Sequence, residues 1–308
     1  MSTSEGFFKG YWLVTNRCNL DCGYCVLEDT PDQLRRELRL EEKMALASHL
    51  YERLRFRRLT LSGGEVLLLG KQPPRDFVAL LRHLRQYRSR DPRESLEIEV
   101  YTNGTLLDDG VANEMAGVVD LVAITIDGTA EKLLTQLGRN AGRHRGYFER
   151  AVGACARLTE RGIGVKLHSV VGTLNHRTLP LDVVPILDAI ETRGGHITSW
   201  KFYQYMSYDD PPRDAVHALA PEDYATTAAG VERALEGRVP LHFKDNAEMN
   251  ASMFNILSYG NAQYLRGGDT WTSSRRTSDL RSYGSMGELF AANEIDEGLF
   301  RAFHELRR

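Results

Sequence analysis

No stretch of this 308-residue sequence stays apolar for the ~18 residues a membrane span needs. Met1 to Gly10 also lack the basic start and apolar run of a secretory signal. Neither sign of charge dominates: 39 Lys plus Arg against 42 Asp plus Glu leave a net charge of −3, so nothing draws the whole molecule to nucleic acid or anionic lipid. Any basic binding site must be local. Cysteine is scarce, at four residues, and it is not scattered as in a disulfide-stapled secreted domain. The expectation is a cytoplasmic protein with neither membrane nor nucleic acid as partner. With 42% hydrophobic and 26% charged residues, the chain suits one large domain or two small ones.

What is present is a regular alternation. Short runs rich in β-branched and aromatic residues predict strands at Tyr11 to Thr15, Arg58 to Ser62, Leu96 to Thr102, Leu121 to Thr125, Gly164 to Val170 and Ser199 to Tyr205. Between them, Leu40, Met44, Ala47, Leu50 and Leu54 recur at helical spacing, as do Phe77, Leu80, Leu81 and Leu84, and Phe148, Val152, Cys155 and Leu158. Pro73 and Pro74 stand just ahead of the second helix, where a missing amide donor does no harm. Such alternation is the sequence form of an α/β fold with a parallel sheet, flat or curled into a partial barrel. Chemistry in such sheets collects at the carboxyl ends of the strands. Arg266 to Ser285, rich in Gly, Ser, Thr and Arg, reads as a mobile loop ahead of one last helix over Ser285 to Leu306.

Three of the four cysteines lie in one loop after the first strand: Cys18-Asn19-Leu20-Asp21-Cys22-Gly23-Tyr24-Cys25. Three thiolates can bind one 4Fe-4S cubane and leave its fourth iron open to a ligand. A structural zinc would need a fourth thiolate or imidazole, usually in a second pair, and no second Cys pair exists. Cys155, on an apolar helix face, reads as a small buried hydrophobe.

The Cys-x3-Cys-x-aromatic-Cys loop resembles the signature of the radical S-adenosylmethionine (SAM) superfamily. Ser62-Gly63-Gly64-Glu65, at the end of the second strand, resembles that family's Gly-Gly-Glu motif. The resemblance implies a partial (βα)6 barrel over residues 1–210, with 211–308 as a C-terminal extension closing the active site. It implies a 4Fe-4S cluster on Cys18, Cys22 and Cys25, and SAM held by Tyr24, Gly63, Gly64, Glu65, Thr102 and Asn103. It also implies an electron donor such as flavodoxin or ferredoxin.

Longer stretches are similar, in order and spacing, to the viperin-like nucleotide dehydratases of antiviral defence. These are Leu137-Gly138-Arg139, Val165-Lys166-Leu167-His168-Ser169-Val170, Trp200-Lys201-Phe202-Tyr203-Gln204 and Ile295-Asp296-Glu297-Gly298-Leu299-Phe300. The similarity implies hydrogen abstraction from a nucleotide ribose and dehydration to a 3′-deoxy-3′,4′-didehydro nucleotide. It adds Thr125, Arg139 and Gln204 to the SAM site, and Arg58, Ser62, Lys166 and Lys201 as ligands of a phosphorylated small-molecule substrate. Three positions depart from that family: Tyr11 and His168 stand where it has Asn, and Ser199 where it has a phosphate-binding Arg. Tyr259, in an expected hairpin, is a candidate proton donor to the departing hydroxyl, and His168 a second candidate catalyst. Arg275, Arg276 and Arg281 are candidates for a lid over phosphates. The competing readings are a radical SAM enzyme acting on a nucleoside or sugar intermediate of antibiotic biosynthesis, and a zinc-binding adaptor with no activity.

Overall fold

A computed structural model of the chain describes residues 6–25, 27, 36–140, 145–207, 211–265 and 276–306. Eleven strands form one sheet: β1 (Phe7–Thr15), β2 (Phe56–Gly63), β3 (Glu97–Thr102), β4 (Leu121–Thr125), β5 (Gly164–Val171), β6 (Ser199–Gln204), β7 (Leu241–Lys244), β8 (Phe254–Ile256), β9 (Asn261–Tyr264), β10 (Arg276–Asp279) and β11 (Glu305–Leu306). The order along the sheet is β10-β9-β8-β1-β2-β3-β4-β5-β6-β7, with β11 paired to β1. From β8 to β7 every pairing is parallel, and β1 to β6 are each followed by helix, as the alternation predicted. The six expected strands all form, β4 with the expected bounds.

Period two along each strand divides the sheet into two faces. Trp12, Val14, Leu59, Leu61, Ile98, Val100, Val122, Ile124, Val165, Leu167, Trp200 and Phe202 point to one face, where the helices bury them almost completely. Leu46, Leu50, Phe77, Leu80 and Leu84 come from the helices Leu40–Glu52 and Arg75–Arg85, and Cys155 is buried on Tyr147–Glu160. Each large apolar side chain so buried is worth roughly 1.5–3 kcal/mol, so this layer fixes the opposite face in place.

That opposite face is polar: Lys9, Tyr11, Arg58, Thr60, Ser62, Glu97, Glu99, Tyr101, Thr125, Lys166, His168, Ser199, Lys201, Tyr203, His242, Lys244 and Asn255 occupy its register positions. It is also concave. Alternate strands of a flat sheet stand about 9.5 Å apart, yet the rings of Tyr11 on β1 and Tyr101 on β3 meet at 5.4 Å, and Tyr101 meets His168 on β5 at 4.6 Å.

Two elements differ from expectation in the C-terminal part. Within the expected loop, Arg276–Asp279 forms β10, paired antiparallel with β9, and Ser278 there meets Tyr264 Oη at 3.1 Å and donates to Asn293. The expected last helix is two helices, Met286–Asn293 and Glu297–His304. Glu294 adopts a left-handed φ of 55° that ends the first, and the Asp296 side chain caps the second by accepting from the Leu299 amide at 2.8 Å.

Candidate active site

The cysteine loop leaves β1 and is fastened on two sides. On one, Gly64 and Glu65 donate their amides to the carbonyls of Thr15 and Arg17 at 2.9 and 2.8 Å. On the other, Asp21 and Gly23 donate to Gly138 and Leu137, both at 3.3 Å. Glycine is required at these contacts. A Cβ on Gly63 would lie 2.1 Å from the Thr15 carbonyl oxygen, on Gly64 2.3 Å from that of Arg17, and on Gly138 1.7 Å from that of Asp21.

Cys18 is exposed, Cys25 partly buried and Cys22 buried. Burial pushes the Cys22 thiol up to about 12, so it must lose a proton to a metal when it ligates one. Among the described residues, no three His, Cys, Asp or Glu side chains come together as ligands of a single ion. A cubane spreads its sulfur ligands over different irons. Three thiols in mutual electrostatic range on one pinned loop therefore fit a cluster better than a lone zinc.

Glu65 is fully buried. Its carboxylate accepts from the Leu67 amide at 3.0 Å, the Thr102 hydroxyl at 2.7 Å and the Asn103 amide at 2.8 Å. An ionised carboxylate has about four acceptor positions, so one remains for a ligand ammonium. Asn103 reaches on to Asn19 of the cysteine loop at 2.8 Å, and Asn19 to Thr105 at 2.9 Å. The ends of β2 and β3 and the cysteine loop are thus one network.

Beside it stands a buried triangle that the sequence did not reveal. Arg139 Nε donates to Asp127 Oδ2 at 2.9 Å, Tyr24 donates its phenol to the same oxygen at 2.5 Å, and Arg139 also donates to the Tyr24 hydroxyl. Asp127 is further held by the Val170 amide at 2.9 Å. Tyr147 donates its phenol to the Thr125 carbonyl. Gln204 donates to the Leu219 carbonyl at 3.0 Å and accepts from the Asn246 amide at 3.2 Å, which ties the end of β6 to the C-terminal segment. The helix Pro211–His217 then covers the cysteine loop: the His217 ring meets Tyr24 edge-on at 6.1 Å, and Arg213 donates to the Cys25 carbonyl at 3.1 Å.

The candidate substrate residues share the concave face. Tyr11 Oη and Ser62 Oγ are 2.5 Å apart. Two of the expected phosphate ligands carry carboxylates of their own: Arg58 pairs with Glu97 at 2.5 Å, and Lys166 pairs with Glu99, which also accepts from Thr60 at 3.0 Å. Lys201 has no carboxylate in ion-pair range among the described residues. Burial, then the Lys166 and Lys244 charges, lower its pKa to about 8. Burial, then Lys166 and Lys201, hold His168 well below the usual imidazole range, so it is neutral. His168 Nε2 is buried and has no hydrogen-bond partner among the described residues. Ser199 lies beside Lys166 in register. Tyr259, in the β8–β9 turn, packs with Leu13, Leu257, Tyr11 and Cys25 at the rim next to the cysteine loop. Arg275 lies outside the described residues. Arg276 begins β10, and Arg281 pairs with Asp279 at 2.7 Å.

Fold and site define a class: a parallel α/β barrel sheet with a three-cysteine cluster loop at its carboxyl end. The radical SAM superfamily profile matches residues 12–181, more than half of the chain, and the chain belongs to that superfamily. Its cofactors are accordingly a 4Fe-4S cluster and SAM, and it is a radical SAM enzyme.

Among curated relatives, it is 26% identical over 172 residues to the Fe-coproporphyrin III synthase of Methanosarcina barkeri, covering 55% of this chain and 38% of that one. It is 30% identical over 134 residues to the GTP 3′,8-cyclase of Rhodopirellula baltica, covering 43% and 34%. The chain thus spans little more than a third of the length of these relatives. They are a synthase and a cyclase rather than dehydratases. Among solved structures, SuiB of Streptococcus suis bound to S-adenosylmethionine superposes with a TM-score of 0.63 at 13% identity, over 96% of this chain and 67% of that one. anSMEcpe with bound AdoMet and Kp18Cys peptide gives 0.65 at 18%, over 96% and 82%. At these identities the likeness is one of fold. Among the described residues, no helix is long and apolar enough to cross a membrane.

Proposed function

We propose that this enzyme abstracts a hydrogen atom from the ribose of a phosphorylated nucleotide and dehydrates it, giving a 3′-deoxy-3′,4′-didehydro nucleotide. When bound, the cluster and SAM supply a 5′-deoxyadenosyl radical, and a flavodoxin or ferredoxin would deliver two electrons per turnover, one to cleave SAM and one to reduce the nucleotide radical as its 3′-hydroxyl leaves as water. Cys18, Cys22 and Cys25 would hold the cluster. Gly63, Gly64, Glu65, Thr102 and Asn103 would receive the methionyl end of SAM, with Tyr24, Thr125, Arg139 and Gln204 shaping the rest of its pocket. The concave wall of Tyr11, Ser62, Lys166, His168, Ser199 and Lys201 would orient the nucleotide. Walls of packed aromatic rings exclude water and rival C–H bonds from a reactive carbon radical. Tyr259, at the rim beside Tyr11, would donate the proton that lets the hydroxyl leave.

The observation carrying this reading is the lysine-rich interior of a superfamily member, with the unpaired Lys201 at its centre. The GTP 3′,8-cyclase relatives, enzymes named for a nucleotide triphosphate, support it. One observation favours a second reading, a less highly charged nucleoside or sugar substrate: Arg58 and Lys166 are already neutralised by Glu97 and Glu99. The test is anaerobic incubation of the reconstituted enzyme with SAM, reductant and each nucleoside triphosphate, followed by mass spectrometry. A nucleotide lighter by one water supports the proposal. Turnover of nucleosides or sugar nucleotides alone, with every triphosphate returned unchanged, replaces it by the second reading.

A further inference from the structure

The sequence places the substrate anion against Arg58, Ser62, Lys166 and Lys201, but in the structure Arg58 and Lys166 already have carboxylates. The cations left over stand on the other side of the cavity. Lys201 on β6 and Lys244 on β7 share the concave face as diagonal neighbours, since Lys201 is in register with His242 and Tyr203 with Lys244. His168 is in register with Lys201 on the adjoining strand, and its buried Nε2 has no hydrogen-bond partner among the described residues. Lys244 donates to Ser252 Oγ at 2.6 Å, and its nearest carboxylate, Glu248, stands 3.9 Å away at the limit of ion pairing. The charged groups around this corner are Lys9, Lys166, Lys201 and Lys244 against Glu99 and Glu248, with Glu99 committed to Lys166. A buried imidazole nitrogen without a hydrogen bond is costly, and so are ammonium groups crowded together without counter-charge. One ligand group relieves both.

We propose that Lys201, Lys244 and His168 Nε2 form a subsite for a phosphoryl group on the β6–β7 side of the cavity. This deepens the reading above and rests on it for the cofactors, but it moves the anion away from Arg58 and Lys166. The surplus of positive charge there suits one or two phosphoryl groups. Lys244 lies on a strand that no motif marks. Ser252, at the end of the helix Asn246–Ala251, holds its ammonium in place.

The test is calorimetric titration of the reconstituted enzyme with inorganic pyrophosphate in the presence of SAM. Lys201→Gln and Lys244→Gln should each weaken binding by about tenfold or more, the scale of a lost charge-assisted hydrogen bond. Lys244→Arg should restore it. His168→Gln, which keeps a polar group near Nε2, should hold affinity better than His168→Phe. Arg58→Gln should change it by less than about threefold, because Glu97 already answers that charge. Circular dichroism melts of each variant separate lost binding from lost folding. Wild-type affinity in a folded Lys244→Gln variant overturns the subsite, as does a loss in Arg58→Gln equal to that in Lys201→Gln. Nucleotide dehydration that persists in Lys244→Gln with unchanged KM overturns the subsite alone. Pyrophosphate binding with no dehydration of any nucleotide supports the subsite and refutes the reaction.

Discussion

Arg139 Nε and Asp127 Oδ2 meet at 2.9 Å with both side chains almost wholly buried, and Tyr24 of the cysteine loop donates its phenol to the same carboxylate. The pair therefore joins the end of β4 to the cysteine loop. Breaking a buried pair from one side leaves an uncompensated charge and costs about 3–5 kcal/mol. Asp127→Ala is expected to lower the melting temperature clearly and to reduce iron content. Arg139→Ala with Asp127→Ala together should cost less than the sum of the single changes. A double-mutant cycle on melting and iron content checks this.

Gly138 combines a left-handed φ of 78° with a contact that admits no side chain, its ideal Cβ falling 1.7 Å from the Asp21 carbonyl oxygen. Gly138→Ala should push the cysteine loop off its strap while the sheet stays intact. The expected outcome is near-normal circular dichroism with fewer than half of the four irons of a full cluster. Iron and sulfide analysis after anaerobic reconstitution measures it.

The acceptors on Glu65 face three donors: the Leu67 and Asn103 amides and the Thr102 hydroxyl. Glu65→Gln would turn an NH2 group toward one of these amides and leave a buried donor unsatisfied, at about 1–3 kcal/mol. A melting temperature lower by a few degrees is expected, with weaker SAM binding. Thermal melts and SAM titration of the same variant test both.

In the proposed phosphoryl subsite, Lys201 should set the pH dependence of anion binding. Burial, with the Lys166 and Lys244 charges next, lowers its pKa to about 8 against an ordinary 10.5, while Glu99 opposes the shift. Between those two values the unfolded chain binds more protons at this position than the folded one, so this group makes the fold more stable as pH rises through that window. Anion binding runs the other way: the ammonium is present below about 8 and lost above it. Pyrophosphate affinity should fall as pH rises through about 8, and the fall should flatten in Lys201→Gln. Titrations across that range decide.

Much of the fold was legible because β4 is a nearly continuous apolar run, β5 sets Val165 and Leu167 between Lys166 and His168 at period two, and the helices carry apolar residues three and four apart. Leu241–Lys244 was missed: it is four residues long, and His242 and Lys244 on its inward face make it read as polar loop. Glu97 and Glu99 alternate with Ile98 and Val100, a pattern that looks like a solvent-facing edge. The concave sheet turns it inward, where Glu97 and Glu99 pair with Arg58 and Lys166. The cysteine loop and the Ser62 to Glu65 motif were readable because cluster chemistry constrains residue type and spacing together. Asp127 and His217 belong to no local pattern. They reach the site through packing of elements far apart in the chain, and the only signal for Asp127 was a charged residue just past the end of a strand.

The most direct measurement is the metal content and SAM chemistry of the anaerobically purified protein. The expected result is a brown protein with about four irons per chain that cleaves SAM to 5′-deoxyadenosine once reduced, and that loses both properties in Cys22→Ala. A colourless protein holding one zinc per chain, inert toward SAM under the same conditions, would contradict it.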